Sequence, residues 1–93
     1  MIFILIEEWS RLAAKQGNSD AQLMLGSLYA KAEGGESADV VNAYMWYEAS
    51  AKEGNTEAKK ELVSLEKEMT PQQLSDARAK AQKCLTSKYE LCD

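Results

Sequence analysis

Histidine is missing from this sequence of 93 residues, and the chain has only one proline and two cysteines. Without histidine, Ser-His-Asp triads and histidine acid–base catalysis are excluded, and most zinc sites lose a common ligand. The hydrophobic fraction of 45% and the charged fraction of 28% are typical of a folded, helical chain rather than a disordered or fibrous one. The length corresponds to one small domain or to a fragment of a larger one.

An excess of positive charge is also missing. The formal net charge is −4 and the isoelectric point is near 4.9. A surface that follows nucleic-acid phosphates needs clustered lysine and arginine, and this charge balance has the opposite sign. We therefore expect no nucleic-acid partner.

No long apolar run is present. Residues 1–6 are apolar, but Glu7 and Glu8 follow immediately. A membrane span needs about 20 apolar residues, and a secretory signal needs a basic start and a small-residue cleavage site. We expect no membrane span and interpret residues 1–6 as the buried start of a helix. An exposed patch for self-association is the alternative.

Patterns that carry catalysis are scarce. A phosphate-binding loop needs a strand before it and Lys-Ser/Thr after its glycines, and Gly34-Gly35 has neither. Closely spaced carboxylates such as Glu66 and Glu68 are typical of the charged surface of a helix rather than of a catalytic cleft. We therefore predict a protein that is not an enzyme and that needs no metal or cofactor.

An internal repeat organises the chain. Residues 9–28 align without a gap with residues 46–65, and nine of the twenty positions are identical. The identities include Trp9 with Trp46 and the Gly-Asn pairs that begin at Gly17 and Gly54. An offset of 37 residues lies in the range of two-helix repeat units. The repeat predicts equivalent surroundings for the two tryptophans, and unrelated surroundings would contradict the repeat interpretation.

The spacing of apolar residues and the helix-end signals predict five helices. Gly17 and Gly54 end helices, because glycine tolerates the left-handed conformation that such an end needs. Thr70, Pro71 and Gln73 form an N-cap, a first-turn proline and a capping box. We predict helices over residues 2–16, 19–32, 38–53, 56–69 and 70–86, with a loop over 33–37. The apolar stripe of the second helix includes Ala21, Met24 and Leu25.

These motifs resemble the Sel-1-like repeat, a relative of the tetratricopeptide repeat. The resemblance is carried by Ala21-Gln-Leu-Met-Leu-Gly-Ser-Leu-Tyr29, Asp39, Ala43-Tyr-Met-Trp-Tyr47 and Ala51-Lys-Glu-Gly-Asn55. It implies an all-α fold, a short α-α superhelix of antiparallel helix pairs. The single domain would hold a half repeat at 2–18, a full repeat at 19–55 and a half repeat at 56–69. Residues 70–93 would form a capping helix and tail, similar to the ends of bacterial arrays.

Members of this family are interaction scaffolds, so the resemblance implies a non-catalytic adaptor that binds a protein or peptide. In stacked helix pairs the first helix of each pair lines the concave side, and we expect Leu23 to be exposed there. The alternative for each position is an ordinary solvated side chain. The partner-contacting residues implied on the second and fourth helices are Asp20, Leu23, Ser27, Lys31, Glu57, Lys60, Ser64 and Lys67.

The alignment leaves the first helix without the helix that would normally precede it. Phe3 and Ile6 fall opposite Val40 and Ala43 in the repeat, where they would pack against that preceding helix. Either the chain is the end of a longer array, or another part of the protein covers Phe3 and Ile6. The second hypothesis for function is therefore a structural module that dimerises through Phe3, Ile4 and Ile6.

Cys84 and Cys92 have several possible roles. Two cysteines without histidine make a poor zinc site, and a redox-active pair usually has two intervening residues rather than seven. Buried free thiols and a disulfide remain. The intervening segment is long enough to fold back, and similar spacing in cysteine-rich members of the resembled family also implies a bridge. Pairing would indicate a bacterial periplasm or another oxidising compartment, and free thiols the cytoplasm.

Overall fold

The described part of the chain is built from five α-helices. The structure is a computed structural model that describes residues 2–31, 39–90 and 92, with side chains from Trp9 onward except that of Lys31. No strand occurs within these ranges, so the all-α prediction is confirmed. None of the helices in the described ranges is long and apolar enough to cross a membrane. The helices are α1 (Ile2–Lys15), α2 (Ser19–Lys31), α3 (Val40–Lys52), α4 (Thr56–Glu66) and α5 (Pro71–Thr86).

Local signals in the sequence explain where the helices begin. The Asp39 carboxylate accepts a hydrogen bond from the backbone N–H of Asn42 and caps α3. Thr70 and Gln73 form the predicted capping box at the start of α5, with Pro71 in the first turn. These side chains satisfy backbone donors that have no partner inside the helix. The fourth helix ends three residues earlier than predicted, because residues 67–69 form turns instead.

The α1–α2 and α3–α4 turns have the same backbone hydrogen bonds. Asn18 N–H donates to the carbonyl of Ala13, and Asn55 N–H donates to that of Ser50, 37 residues further along in each case. Both turns place glycine in the left-handed region, with φ of 89° at Gly17 and 95° at Gly54. Each asparagine side chain then accepts from the backbone three residues later, at a distance of 3.0 Å.

Helix α3 lies at the centre of the packing and contacts α2, α4 and α5, whereas α1 packs chiefly against α2. The first core cluster gathers around Trp46, and the second gathers around Tyr47. The first core cluster consists of Ala14, Ala21, Leu25, Met45, Trp46, Ala49, Ala81, Cys84 and Cys92. The second core cluster consists of Ala43, Tyr44, Tyr47, Leu62, Leu65 and Ala77.

The two tryptophans do not have equivalent surroundings, so that prediction is wrong. Trp46 is completely buried, whereas 56% of the Trp9 side chain is exposed. The difference follows from the packing, because α3 is covered by three helices and α1 chiefly by one. Met24 also departs from its predicted core position and is 41% exposed, although its sulfur accepts a hydrogen bond from buried Ser10 at 3.2 Å.

Candidate binding surface

Helices α2 and α4 both pack against α3. The side chain of Asn55, the N-cap of α4, reaches Asp20 in the first turn of α2, with 3.5 Å between Nδ2 and Oδ1. Further along, the hydroxyl of Tyr47 donates to Ser27 Oγ on α2 at 3.3 Å, and the charge of Glu61 on α4 acts on the same ring. We refer to the predicted residues of these two helices together as the α2–α4 face.

The α2 part of this face is more closely packed than predicted. Asp20 is exposed, but Ser27 is half-buried and accepts the Tyr47 hydrogen bond. Leu23 is also half-buried, not exposed, because it packs against the second core cluster. The side chain of Lys31 lies outside the described residues. On the α2 side, Leu23 therefore contributes apolar surface, Ser27 contributes a hydroxyl that is already hydrogen-bonded, and Asp20 contributes a negative charge.

The α4 part of the face is open. All four predicted residues on this helix are exposed: Glu57, Lys60, Ser64 and Lys67. Their steps of three and four residues keep them on one stripe of the helix, away from buried Ala58 and Leu62. One carboxylate, two ammonium groups and a hydroxyl are combined there, and such a mixture suits polar contacts with a peptide or protein.

The buried side chain of Tyr47 packs in the core beneath the α2–α4 face. The side chain is 2% exposed and belongs to the second core cluster. Burial raises the pKa of the Tyr47 hydroxyl, and the charge of Glu61 raises it further, while the hydrogen bond with Ser27 acts in the opposite direction. The hydroxyl is therefore neutral at physiological pH, and its hydrogen bond positions Ser27 on the surface.

A concave surface that the sequence did not indicate lies between α3 and α5. It encloses about 460 Å³ and is lined by Tyr44, Glu48, Lys52, Arg78, Ala81, Gln82, Leu85 and Thr86. The α3 residues of this groove stand four residues apart, a signal that the sequence contains. The α5 residues that line the groove could not be predicted from the sequence, because the sequence does not show that α5 packs against α3.

The hydroxyl of Tyr44 connects the groove to α4. It donates to Glu66 Oε1 at 3.3 Å and also forms a hydrogen bond with the guanidinium of Arg78. Burial raises the pKa of Tyr44, the hydrogen bond with Arg78 lowers it, and the charges of Glu48 and Glu66 raise it again. Arg78 is therefore already engaged with the wall of the groove, and the polar groups there hold α3, α4 and α5 together.

Cys84 and Cys92 form a disulfide, and both are completely buried in the first core cluster. The prediction of a pair is confirmed, and no free thiol is present among the described residues. The side chains of Phe3, Ile4 and Ile6, predicted to mediate dimerisation, lie outside the described ones. On α1, the exposed apolar side chains that the structure does describe are Trp9 and Leu12, one helical turn apart.

No cluster of three or more cysteine, aspartate or glutamate side chains within the described ranges could hold a metal ion. No protein-family model, curated protein or solved structure matches the chain. The resemblance to a helical repeat family therefore rests on the residues and turns of this chain alone.

Proposed function

We propose that this protein is a non-catalytic adaptor of the Sel-1-like kind that binds a protein or peptide on the α2–α4 face. The observation that carries the proposal is the exposed stripe on α4, together with the Asn55–Asp20 contact that links this helix to α2. Two helices that both pack against a third helix provide a rigid surface, and rigid surfaces lose little entropy on binding.

The repeat interpretation is supported by the turns rather than by the tryptophans. Two turns with the same hydrogen bonds, the same left-handed glycine and the same asparagine cap occur 37 residues apart. The difference between Trp9 and Trp46 fits a terminal unit, in which α1 carries a residue suited to burial but has fewer neighbours than α3. A short α-α superhelix is the architecture that these observations favour.

Partner capture by site-specific crosslinking tests the adaptor proposal. A photoreactive residue at position 64, in the middle of the α4 stripe, is compared with one at position 83 of α5, which is also exposed. We expect crosslinked partners at Ser64 and few at Lys83 when both proteins are irradiated in an extract of the native cell. Equal crosslinking at both positions, or none at Ser64, would show that this face is not the binding surface.

A charge reversal on the same stripe provides a second test. Lys60→Glu should leave the helical circular dichroism unchanged, because Lys60 is exposed, and should weaken partner capture. Lys83→Glu makes the same change of charge on α5 and should leave capture unchanged. If the two variants capture equal amounts of partner, Lys60 does not belong to the binding surface.

Self-association is the second candidate function, because Trp9 and Leu12 present apolar surface on the same helix. Exposed apolar side chains that are grouped together often mark a contact surface. In this hypothesis the chain dimerises through α1, and Leu12→Glu shifts the mass measured by light scattering from dimer to monomer. Val63→Glu on α4, where Val63 is 57% exposed, is the matched control. A monomer for the unaltered protein at micromolar concentration would exclude this function.

The disulfide supports an oxidising compartment, such as a periplasm, as the location of the protein. Disulfides persist in secreted and periplasmic proteins and are rare in the reducing cytosol. Detection of the Cys84–Cys92 bond in protein isolated from native cells under alkylating conditions tests this assignment. Two alkylated thiols in that sample would indicate the cytoplasm instead.

A further inference from the structure

The segment that follows α5 turns back and packs onto the rest of the domain. The Tyr89 N–H donates to the carbonyl of Cys84 at 2.8 Å, and Ser87 Oγ donates to the same carbonyl at 3.0 Å. Three residues later, Cys92 reaches the first core cluster and forms the disulfide with Cys84. The bond thus closes a short loop between the end of a helix and a buried position.

This reversal requires an unusual backbone. Lys88 and Tyr89 are consecutive residues with φ of 56° and 73°, in the left-handed region. Residues with a side chain are disfavoured in this conformation, so surrounding contacts must hold it in place. The disulfide is the covalent contact available to do so, because it fixes both ends of the loop.

The side chain of Tyr89 joins the two equivalent turns. A methyl group at Gly17, in the α1–α2 turn, would lie 3.6 Å from Tyr89 Cε2, so the ring is in van der Waals reach of that turn. The hydroxyl donates to the carboxylate of Glu53, the C-cap of α3, beside the α3–α4 turn. Burial raises the pKa of Tyr89, and Glu53 raises it further, so the donor is retained at physiological pH.

We propose that the Cys84–Cys92 disulfide is a redox-controlled clamp that holds Tyr89 across the α1–α2 and α3–α4 turns. When the bond is reduced, residues 87–90 and Cys92 detach and the five helices remain packed. The helices remain because α3 packs directly against α2, α4 and α5, and α1 packs against α2, and none of these contacts runs through the segment. Detachment uncovers apolar surface next to the α1–α2 turn, since Tyr89 packs against the first core cluster.

The chemistry is thiol–disulfide exchange with a dithiol reductant. One thiolate of the reductant attacks a sulfur of the disulfide, and its second thiol resolves the mixed disulfide. The reductant loses two electrons and two protons and becomes a disulfide, while Cys84 and Cys92 become thiols. Because both cysteines are completely buried, the segment must open before the attack, so the closed clamp protects its own bond.

Amide hydrogen exchange on the full chain, with and without dithiothreitol, tests the clamp. In the reduced protein we expect the amide of Tyr89 to exchange at least about tenfold faster, because exchange reports local opening. Helical circular dichroism and the protection of amides within α3 should stay unchanged. Unaltered exchange at Tyr89 after complete reduction would overturn the proposal. Loss of helical signal on reduction would also overturn it, because the bond would then hold the whole domain together.

Two variants complete the experiment. Cys92→Ala removes the bond without a reductant and should reproduce the exchange pattern of the reduced protein, with its helices intact. Tyr89→Phe keeps the bond and the ring but removes the hydroxyl that contacts Glu53. This variant should show faster exchange at position 89 while oxidised, by a smaller factor than reduction causes. An oxidised Tyr89→Phe protein with unchanged exchange would show that the ring does not hold the segment through Glu53.

Discussion

The ring of Tyr47 occupies the space that a side chain at Gly26 would need. A Cβ built at Gly26 would lie 2.6 Å from Cδ1 and 2.7 Å from Cε1 of Tyr47. Glycine in the interior of a helix is normally unfavourable, so its presence in α2 has a packing reason. The missing side chain lets α2 approach α3 closely and lets the Tyr47 hydroxyl reach Ser27 one residue later.

Gly26→Ala should therefore destabilise the protein, although alanine is the better helix former. We expect a loss of about 1–2 kcal/mol in the free energy of unfolding, because overpacking outweighs the gain in helix propensity. Urea denaturation provides the measurement. In a Tyr47→Ala background the same change should stabilise, since the obstructing ring is gone. A stabilising Gly26→Ala in the unaltered protein would show that Tyr47 does not pack there.

Alanine in place of Gly54 should destabilise by about 1–2 kcal/mol, the cost of a left-handed residue with a side chain. The space around this position is open within 4 Å, so only the backbone contributes. Gly54→Asn should cost less, because asparagine tolerates that conformation. Gly17→Ala should cost as much as Gly54→Ala in thermal or urea unfolding. A clear inequality between the two alanine variants would mean that the turns are not energetically equivalent.

The two tryptophans should differ sharply when each is changed to alanine. Trp46→Ala should lower the free energy of unfolding by about 3–5 kcal/mol, as deletion of a buried aromatic side chain does. Trp9→Ala should lower it by at most about 1 kcal/mol, because most of that side chain already meets solvent. Chemical denaturation of both variants gives the comparison. A mild effect of Trp46→Ala would contradict the packing around α3.

Stability should fall as the pH rises above about 10, the ordinary pKa of tyrosine. Folding raises the pKa of Tyr44, Tyr47 and Tyr89 in each case chiefly through burial. A raised pKa contributes stability that is fully present below the unfolded-state pKa and is lost as the pH rises through the folded-state pKa. Urea denaturation at several pH values between about 8 and 11 measures the decline.

Lysine side chains titrate in the same range, so a matched variant isolates the contribution of tyrosine. Tyr47→Phe removes one titrating hydroxyl and should show a shallower decline than the unaltered protein. The variant also loses the hydrogen bond with Ser27 and should start from a lower stability at pH 8. Parallel declines in both proteins would show that Tyr47 does not contribute to the pH dependence.

Features that depend on neighbouring residues were predictable, and features that depend on distant ones were not. The capping box at Thr70 and Gln73 involves residues three apart, so its pattern is visible in the chain. The α3–α5 groove joins α3 and α5 residues that are 26 to 42 positions apart, and no local pattern predicts which helix faces which. The half-burial of Leu23 and the exposure of Met24 have the same origin, because both depend on how neighbouring helices are placed around α2.

The amino-acid order alone determined the five helices of the described residues, the capping box of α5 and the two glycine turns, since these follow from backbone hydrogen bonds and conformational preferences within a few residues. Tertiary structure decided which helix became central and therefore which tryptophan was buried. It also decided that Tyr47 lies on Gly26 and that Tyr89 bridges two turns. The physical reason is that burial and side-chain contact depend on the packing of whole helices, and identical residues 37 positions apart acquire different neighbours.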